Sequence, residues 1–143
     1  MKLYLDSAYV AKFYLPEPDA GRVRTLLGKA EALYSSAWCL AEVSCAVHRH
    51  LREGKLSTHA ASSVLRVFLD HVTREGWFLL PVTEEVLRGV AASLGSVPAN
   101  VLLRAGDAVH LVSARTGGFS EIWSSDRHLL HTAPYFGLTG RSV

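Results

Sequence analysis

The chain has 143 residues, of which 49% are hydrophobic and 20% are charged. This composition excludes a disordered chain, and the length predicts a single domain, residues 1–143, with a substantial core. The formal charge of +2 permits a nucleic-acid partner but does not by itself indicate one.

Cysteine usage and the apolar segments predict a cytoplasmic protein that does not enter a membrane. Cys39 and Cys45 lie six residues apart in a predicted helix, which suits neither a disulfide nor a zinc site and favours buried free thiols. Asp6 interrupts the N-terminal apolar stretch where a signal peptide would need an unbroken one. The longest uncharged run, 89–103, contains Pro98 and is too short to span a bilayer.

Strands and helices alternate along the chain. In order, the sequence predicts a strand at 3–5, helices from 6 and from 19, a strand at 32–35, helices at 36–54 and 57–76, a strand at 77–82, helices at 83–94 and 105–116, a strand at 121–124, a short helix at 126–132 and an edge strand within 137–143. Such alternation is typical of an α/β fold in which helices cover both faces of a parallel sheet. In these folds the carboxyl ends of the strands form the ligand-binding edge.

Four acidic residues stand alone in segments that are otherwise predicted to be buried, namely Asp6, Glu42, Asp107 and Asp126. Burying an unpaired carboxylate is costly, so each of them needs a partner. Taken singly, each has an ordinary structural explanation. Asp6 fits the N-cap of the first helix, and Glu42 fits a salt bridge to a distant arginine.

The positions of the four acids favour a shared site. Asp6 and Asp126 each follow a predicted strand, and Asp107 lies in the first turn of a helix. Glu42 lies in the helix after the second strand, so all four are candidates for one edge of the sheet. Clustered like charges need a counter-ion, and carboxylate oxygens suit Mg²⁺ or Mn²⁺. A metal held by carboxylates without histidine indicates phosphoryl chemistry.

Four segments, LYLDSAYVAKFY, SSAWCLAEV, GDAVHLVSA and IWSSDRHLL, resemble the PIN-domain ribonucleases, most closely the VapC-like toxins of toxin–antitoxin modules. The resemblance covers nearly the whole chain in the right order and spacing. It implies that the catalytic, metal-binding acids are Asp6, Glu42, Asp107 and Asp126, with the supporting hydroxyl residues Ser7 and Ser124 beside the first and last of them. Threonine is commoner in the family where Ser124 stands.

The resemblance also implies the architecture and the activity. The fold would be a three-layer α/β/α sandwich with a central, mostly parallel sheet of about five strands. The activity would be Mg²⁺- or Mn²⁺-dependent endonucleolytic hydrolysis of RNA, leaving a 5′-phosphate. The implied partners are RNA, a second copy of the chain in a homodimer, and a cognate antitoxin that can place an arginine among the acids.

Other polar and aromatic residues have weaker interpretations. Arg104 and Arg127 flank two of the acids and are candidates for contacts to the substrate phosphate or for balancing the acidic site. His110 lies one helical turn after Asp107 and is predicted to be packed or to support the site, without a ligand role. Other histidines, including His48, His50, His59 and His71, are predicted to be solvated. The aromatic residues, including Trp38, are predicted to be core or interface and not stacking platforms.

Two alternatives remain beside the toxin ribonuclease. One is a PIN-type nuclease in RNA processing or decay outside any toxin module, and the other is a non-catalytic PIN-like RNA-binding module. Other α/β classes are disfavoured because the chain has no dinucleotide-binding or P-loop motif. The presence of all four acids argues against a binding module, so we rank the toxin ribonuclease first.

Overall fold

Five parallel strands form the centre of the computed structural model, which describes residues 1–143. They are β1 (Lys2–Tyr4), β2 (Ala32–Ser36), β3 (Phe78–Leu80), β4 (Glu121–Trp123) and β5 (Thr139–Arg141). β1, β2 and β3 form one group and β4 and β5 another, and a single parallel bridge between Leu5 and Trp123 joins the groups. The strand order across the molecule is therefore β3-β2-β1-β4-β5.

Seven α-helices connect these strands. They are α1 (Ser7–Tyr14), α2 (Ala20–Leu27), α3 (Cys39–Arg52), α4 (Thr58–Thr73), α5 (Glu84–Ser93), α6 (Ala105–Thr116) and α7 (Arg127–Thr132), with 3-10 turns at Leu94–Ser96 and Ala133–Phe136. None of the helices combines the length and the apolar character that crossing a membrane requires.

The strand order creates a crevice between β1 and β4. From β1 the chain proceeds outward to β2 and then β3, whereas the connection after β3 returns across the sheet to β4 on the other side of β1. Connections that leave in opposite directions open a gap at the carboxyl ends of the two central strands, where ligands bind in open α/β folds. The backbone N–H of Asp6 spans this junction and donates to Trp123 O at 3.0 Å.

Alternating residues of β1 divide the core into two layers. Leu3 and the following Leu5 belong to a cluster of 15 buried residues drawn mainly from α1–α4. Tyr4 points to the opposite face and belongs to a cluster of 10, which includes Val86 of α5 and Leu111 of α6. One sheet with a helical layer on each face confirms the predicted α/β/α sandwich.

The predicted starts of α4 and α5, which depend on local capping, match the structure. The predicted start of α3 is wrong. The hydroxyl oxygens of Ser57 and Thr83 accept backbone N–H groups in the first turns of α4 and α5, each at 3.1 Å. Ser36, predicted to open the third helix, is instead the last residue of β2. Its Oγ accepts the N–H of Trp38 at 3.1 Å, which holds a turn before α3 begins at Cys39.

Two predictions of side-chain burial on α3 are also wrong. Cys39 is buried as predicted, but Cys45 is exposed because α1 and α4 pack on the side of the helix that carries Val43 and Val47. His50, predicted to be solvated, is only 3% exposed. Its Nε2 lies 2.9 Å from Glu17 Oε1, which gives the buried ring a polar partner.

Candidate active site

Asp6 lies at the carboxyl end of β1 and is also the N-cap of α1. Its Oδ1 accepts the backbone N–H of Tyr9 at 3.0 Å, and its Oδ2 accepts the hydroxyl of Ser124. The residue is only 4% exposed, and this burial raises its pKa from 3.8 to about 6. The Asp6 carboxylate therefore caps α1 and also lies in the crevice between β1 and β4.

Ser124 joins the two sides of the crevice. It follows β4, donates its hydroxyl to Asp6 and accepts the backbone N–H of Asp126 at 2.9 Å. Asp126 in turn caps α7 by accepting the N–H of His128 at 2.9 Å. The ends of β1 and β4 thus hold their acids in one hydrogen-bonded unit.

A guanidinium lies between two of the acids. Arg104 Nε donates to Asp107 Oδ2 at 2.8 Å, and Arg104 Nη2 contacts Asp107 Oδ2 at 2.7 Å and also Asp126 Oδ2. The arginine side chain is 46% exposed, so it reaches the acids from the open side of the crevice. Its positive charge lies where the sequence analysis requires a counter-ion for the acids.

The electrostatics of Asp107 and Asp126 differ because their surroundings differ. Burial raises the pKa of Asp107, and the negative charges of Asp126 and Glu42 raise it further, against the opposing effect of Arg104. Burial also acts to raise the pKa of Asp126, but the hydrogen bonds from Arg104 and the N–H of His128 outweigh it, so that pKa is lowered. Asp107 thus lies close enough to Asp126 and Glu42 for their negative charges to repel it.

Glu42 is held by a second hydrogen-bond network, formed with Ser7 and His110. Ser7 Oγ donates to Glu42 Oε1 at 2.8 Å, and His110 Nε2 lies 3.1 Å from the same oxygen and 2.7 Å from Ser7 Oγ. His110 Nδ1 lies 3.1 Å from the hydroxyl of Tyr4. Burial acts to raise the pKa of Glu42, but the bonds from His110 and Ser7 lower it overall, so the network favours the charged carboxylate.

Hydrogen-bond valence gives this network a direction. A serine hydroxyl has one proton, and Ser7 donates it to Glu42, so Ser7 Oγ accepts from the N–H at His110 Nε2. In the neutral imidazole, Nδ1 then accepts the hydroxyl proton of Tyr4. Tyr4, His110 and Ser7 therefore form a chain of donors that ends on Glu42 and fixes its orientation.

The structure brings together most of the residues that the sequence analysis named. Around the crevice lie Asp6, Ser7, Glu42, Arg104, Asp107, Ser124 and Asp126. Arg127 does not join them, since it is exposed and forms no ion pair. Glu42 was expected to be buried, but its side chain is 37% exposed, because it borders a groove that also contacts Asp126 and Arg49.

The role of Tyr4 goes beyond the sequence analysis, whereas a supporting position for His110 was among its expectations. Tyr4 was predicted only as a core aromatic, yet its hydroxyl anchors His110. His110 is the one strongly polar side chain in the buried stretch 108–114, and that isolation was the available signal for a supporting role. No three carboxylate, imidazole or thiolate groups are arranged as a preformed metal site, and the Arg104 guanidinium lies between Asp107 and Asp126.

The family model of the PIN domain matches residues 3–134. The chain belongs to the PIN-domain family. No curated protein matches the sequence of this PIN domain.

Solved structures share its fold at low sequence identity. FitAcB from Neisseria gonorrhoeae is 19% identical, with a TM-score of 0.72 over 98% of this chain and 96% of that chain. VapBC2 from Rickettsia felis, bound to a DNA fragment from its promoter, is 13% identical, with a TM-score of 0.69 over 100% and 99%. VapC20 from Mycobacterium tuberculosis, a toxin that cleaves the sarcin–ricin loop, is 15% identical, with a TM-score of 0.67 over 89% and 92%.

Proposed function

We propose that this PIN domain is a metal-dependent endoribonuclease and the toxin of a toxin–antitoxin module. The observation that carries the proposal is the convergence of four acids on the β1–β4 crevice, with a guanidinium bridging two of them. Membership of the PIN family supports a nuclease. The toxin reading is supported by the similarity of the fold to VapC20, described as a toxin that cleaves the sarcin–ricin loop.

The donor set fits a hard divalent cation. Mg²⁺ or Mn²⁺ would be held by carboxylate oxygens of Asp6, Glu42, Asp107 and Asp126, with no nitrogen or sulfur ligand required. When bound, the ion supplies a polarised phosphate and an activated water for hydrolysis of the phosphodiester bond. The Arg104 guanidinium balances two of these four carboxylates in the structure, so a metal ion that binds them must displace it.

The protein's own residues prepare the site for that reaction. Ser124 orients Asp6, and Ser7 and His110 orient Glu42. These two acids are therefore preorganised in the free protein. With a metal bound, the Arg104 guanidinium would no longer be held by Asp107 and Asp126 and could contact the phosphate of the RNA. Arg127, exposed beside Asp126, is the second candidate for such a phosphate contact.

We further propose that the chain works in the cytoplasm, forms a homodimer and binds a cognate antitoxin. Support for the antitoxin comes from the similarity of the fold to FitAcB and to VapBC2, the latter solved on promoter DNA. An antitoxin arginine would compete for the same carboxylates that Arg104 contacts here.

Cleavage of a mixed pool of structured RNAs tests the proposed activity. We expect the purified protein to cut RNA with Mg²⁺ or Mn²⁺ and to be inactive with EDTA. Asp107→Asn should abolish cutting, because Asp107 is part of the proposed metal site, whereas Arg127→Gln should at most weaken RNA binding. Cutting that persists in EDTA or in Asp107→Asn would contradict the proposal. If the protein neither cuts RNA nor binds metal, the proposed enzyme activity is wrong and only the assignment of the fold stands.

Arg104→Gln should tighten metal binding. Each of its two contacts is a partly exposed ion pair worth up to about 1 kcal/mol, and a metal must displace both, so we expect the Kd for Mn²⁺ to fall about tenfold. Titration of Mn²⁺ by calorimetry measures this, with Arg127→Gln as an exposed arginine control. Weaker Mn²⁺ binding in Arg104→Gln would show that the arginine assists the metal instead of competing with it.

A further inference from the structure

Trp38 is an exposed aromatic residue at the edge of the candidate active site. It lies between the end of β2 and the start of α3, at the carboxyl edge of the sheet where the acids converge. Its side chain is 39% exposed, although tryptophan usually contributes a large buried surface. Of the two places predicted for Trp38, the core and an interface, the structure excludes the core.

The indole lies beside Glu42. A methyl group added to Gly106, the residue before Asp107, would lie 3.0 Å from Glu42 Oε2 and 3.1 Å from Trp38 Nε1. The carboxylate and the indole thus flank the same point of the α6 backbone. A ligand whose reacting group reaches Glu42 brings its neighbouring groups close to the exposed indole.

Trp38 makes little contribution to holding the fold together. It belongs to neither of the two core clusters and has no aromatic partner. Trp77, in contrast, is 4% exposed and donates its Nε1–H to the hydroxyl of Tyr14 at 2.6 Å. The backbone of Trp38 is nevertheless fixed, since its N–H donates to Ser36 Oγ. An exposed indole on a fixed backbone, outside both core clusters, is suited to binding a ligand.

We propose that Trp38 stacks on an unpaired base of the RNA next to the scissile phosphate, an inference that rests on the proposed ribonuclease function. Bases of single-stranded RNA stack on aromatic side chains, and this contact does not require a particular sequence. The acids around the crevice repel the RNA backbone, and the chain carries a formal charge of only +2. Stacking of a base on Trp38 therefore adds affinity to the phosphate contacts proposed for Arg104 and Arg127.

Binding of short single-stranded oligoribonucleotides in EDTA tests the proposal without cleavage. Trp38→Ala should weaken binding roughly 5- to 150-fold, the range for loss of one stacked base, and Trp38→Phe should restore most of it. The dependence of Kd on salt should have the same slope in Trp38→Ala as in the wild type, because no phosphate contact is removed. Phe78→Ala is the matched control, since Phe78 is also 39% exposed but lies at the start of β3, away from the acids.

Fluorescence and kinetics separate this inference from the proposed function. RNA should quench the fluorescence of the wild type but much less that of Trp38→Phe, whose remaining tryptophans are Trp77 and Trp123. In cleavage assays Trp38→Ala should raise KM more than it lowers kcat, with unchanged Mn²⁺ affinity. Unchanged RNA affinity in Trp38→Ala, or a role of Trp38 in antitoxin binding alone, would overturn the inference while metal-dependent cleavage by the wild type stands. If the protein binds RNA through Trp38 but does not cleave it, the proposed ribonuclease activity is overturned and the inference about Trp38 stands.

Discussion

We expect Asp6→Asn to lower the RNA-cleaving activity more than about 100-fold. At pH 7 the same variant should nevertheless unfold at a higher temperature than the wild type. The loss follows because residues that merely support a metal ligand already contribute about 10- to 100-fold, and Asp6 is a proposed ligand. The gain in stability follows from burial. An ionised carboxylate that is 4% exposed is unfavourable in the folded protein unless a cation is bound.

The pKa of Asp6 gives the size and the pH range of this effect. Its value of about 6 in the folded protein lies above the ordinary 3.8, so the folded state binds the proton more tightly than the unfolded state. Without metal, the free energy of unfolding should therefore fall by about 3 kcal/mol as the pH rises from about 4 to about 6. Asparagine carries no charge and avoids this loss, while its amide oxygen still accepts the N–H of Tyr9.

Urea unfolding of both proteins at pH 4 and pH 7 in EDTA measures the effect. The stability advantage of Asp6→Asn should be present at pH 7 and absent at pH 4. Added Mn²⁺ should stabilise the wild type far more than the variant, because it binds only the folded, ionised site. Asp70→Asn serves as the control, since the Asp70 side chain is 50% exposed. A variant less stable than the wild type at pH 7 would show that burial of the charge is compensated within the protein.

We expect His110→Ala to lower cleavage about 10- to 100-fold and to destabilise the protein by about 3–5 kcal/mol. His110 is 1% exposed, so its removal leaves a cavity and deprives the Tyr4 hydroxyl and Ser7 of their common partner. Glu42 then loses one of its two orienting hydrogen bonds. Because Glu42 is a proposed metal ligand, the affinity for Mn²⁺ should fall with the activity.

Two further variants separate the orienting role of His110 from its contribution to folding. Tyr4→Phe removes the buried hydroxyl but keeps the bonds from His110 to Ser7 and Glu42, so it should cost about 1 kcal/mol and leave Mn²⁺ affinity nearly unchanged. His110→Gln keeps an N–H donor and should recover part of the Mn²⁺ affinity lost in His110→Ala. Calorimetric titration at a temperature where all variants are folded provides the comparison. Equal Mn²⁺ affinity in His110→Ala and the wild type would assign His110 to folding alone.

Features that depend on a few neighbouring residues could be predicted from the sequence. Helix α6 spans Ala105–Thr116 as predicted, and the caps Ser57 and Thr83 open their helices as predicted. These features arise from periodic apolar residues and from hydrogen bonds that span three or four positions. The placement of Asp6 and Asp126 at strand ends belongs to the same class, because a strand followed by a turn leaves its next residue at the sheet edge.

Contacts across the crevice depended on the tertiary structure. Arg104 reaches Asp126, and His110 reaches Tyr4 and Ser7, across separations of 22, 106 and 103 residues. The exposure of Trp38 likewise depends on which elements pack beside the turn before α3. The sequence by itself determined the elements, the α/β class and the four solitary acids. The strand order β3-β2-β1-β4-β5 decided which strand-end acids meet, because the bridge between Leu5 and Trp123 brings Asp6 within hydrogen-bonding range of Ser124.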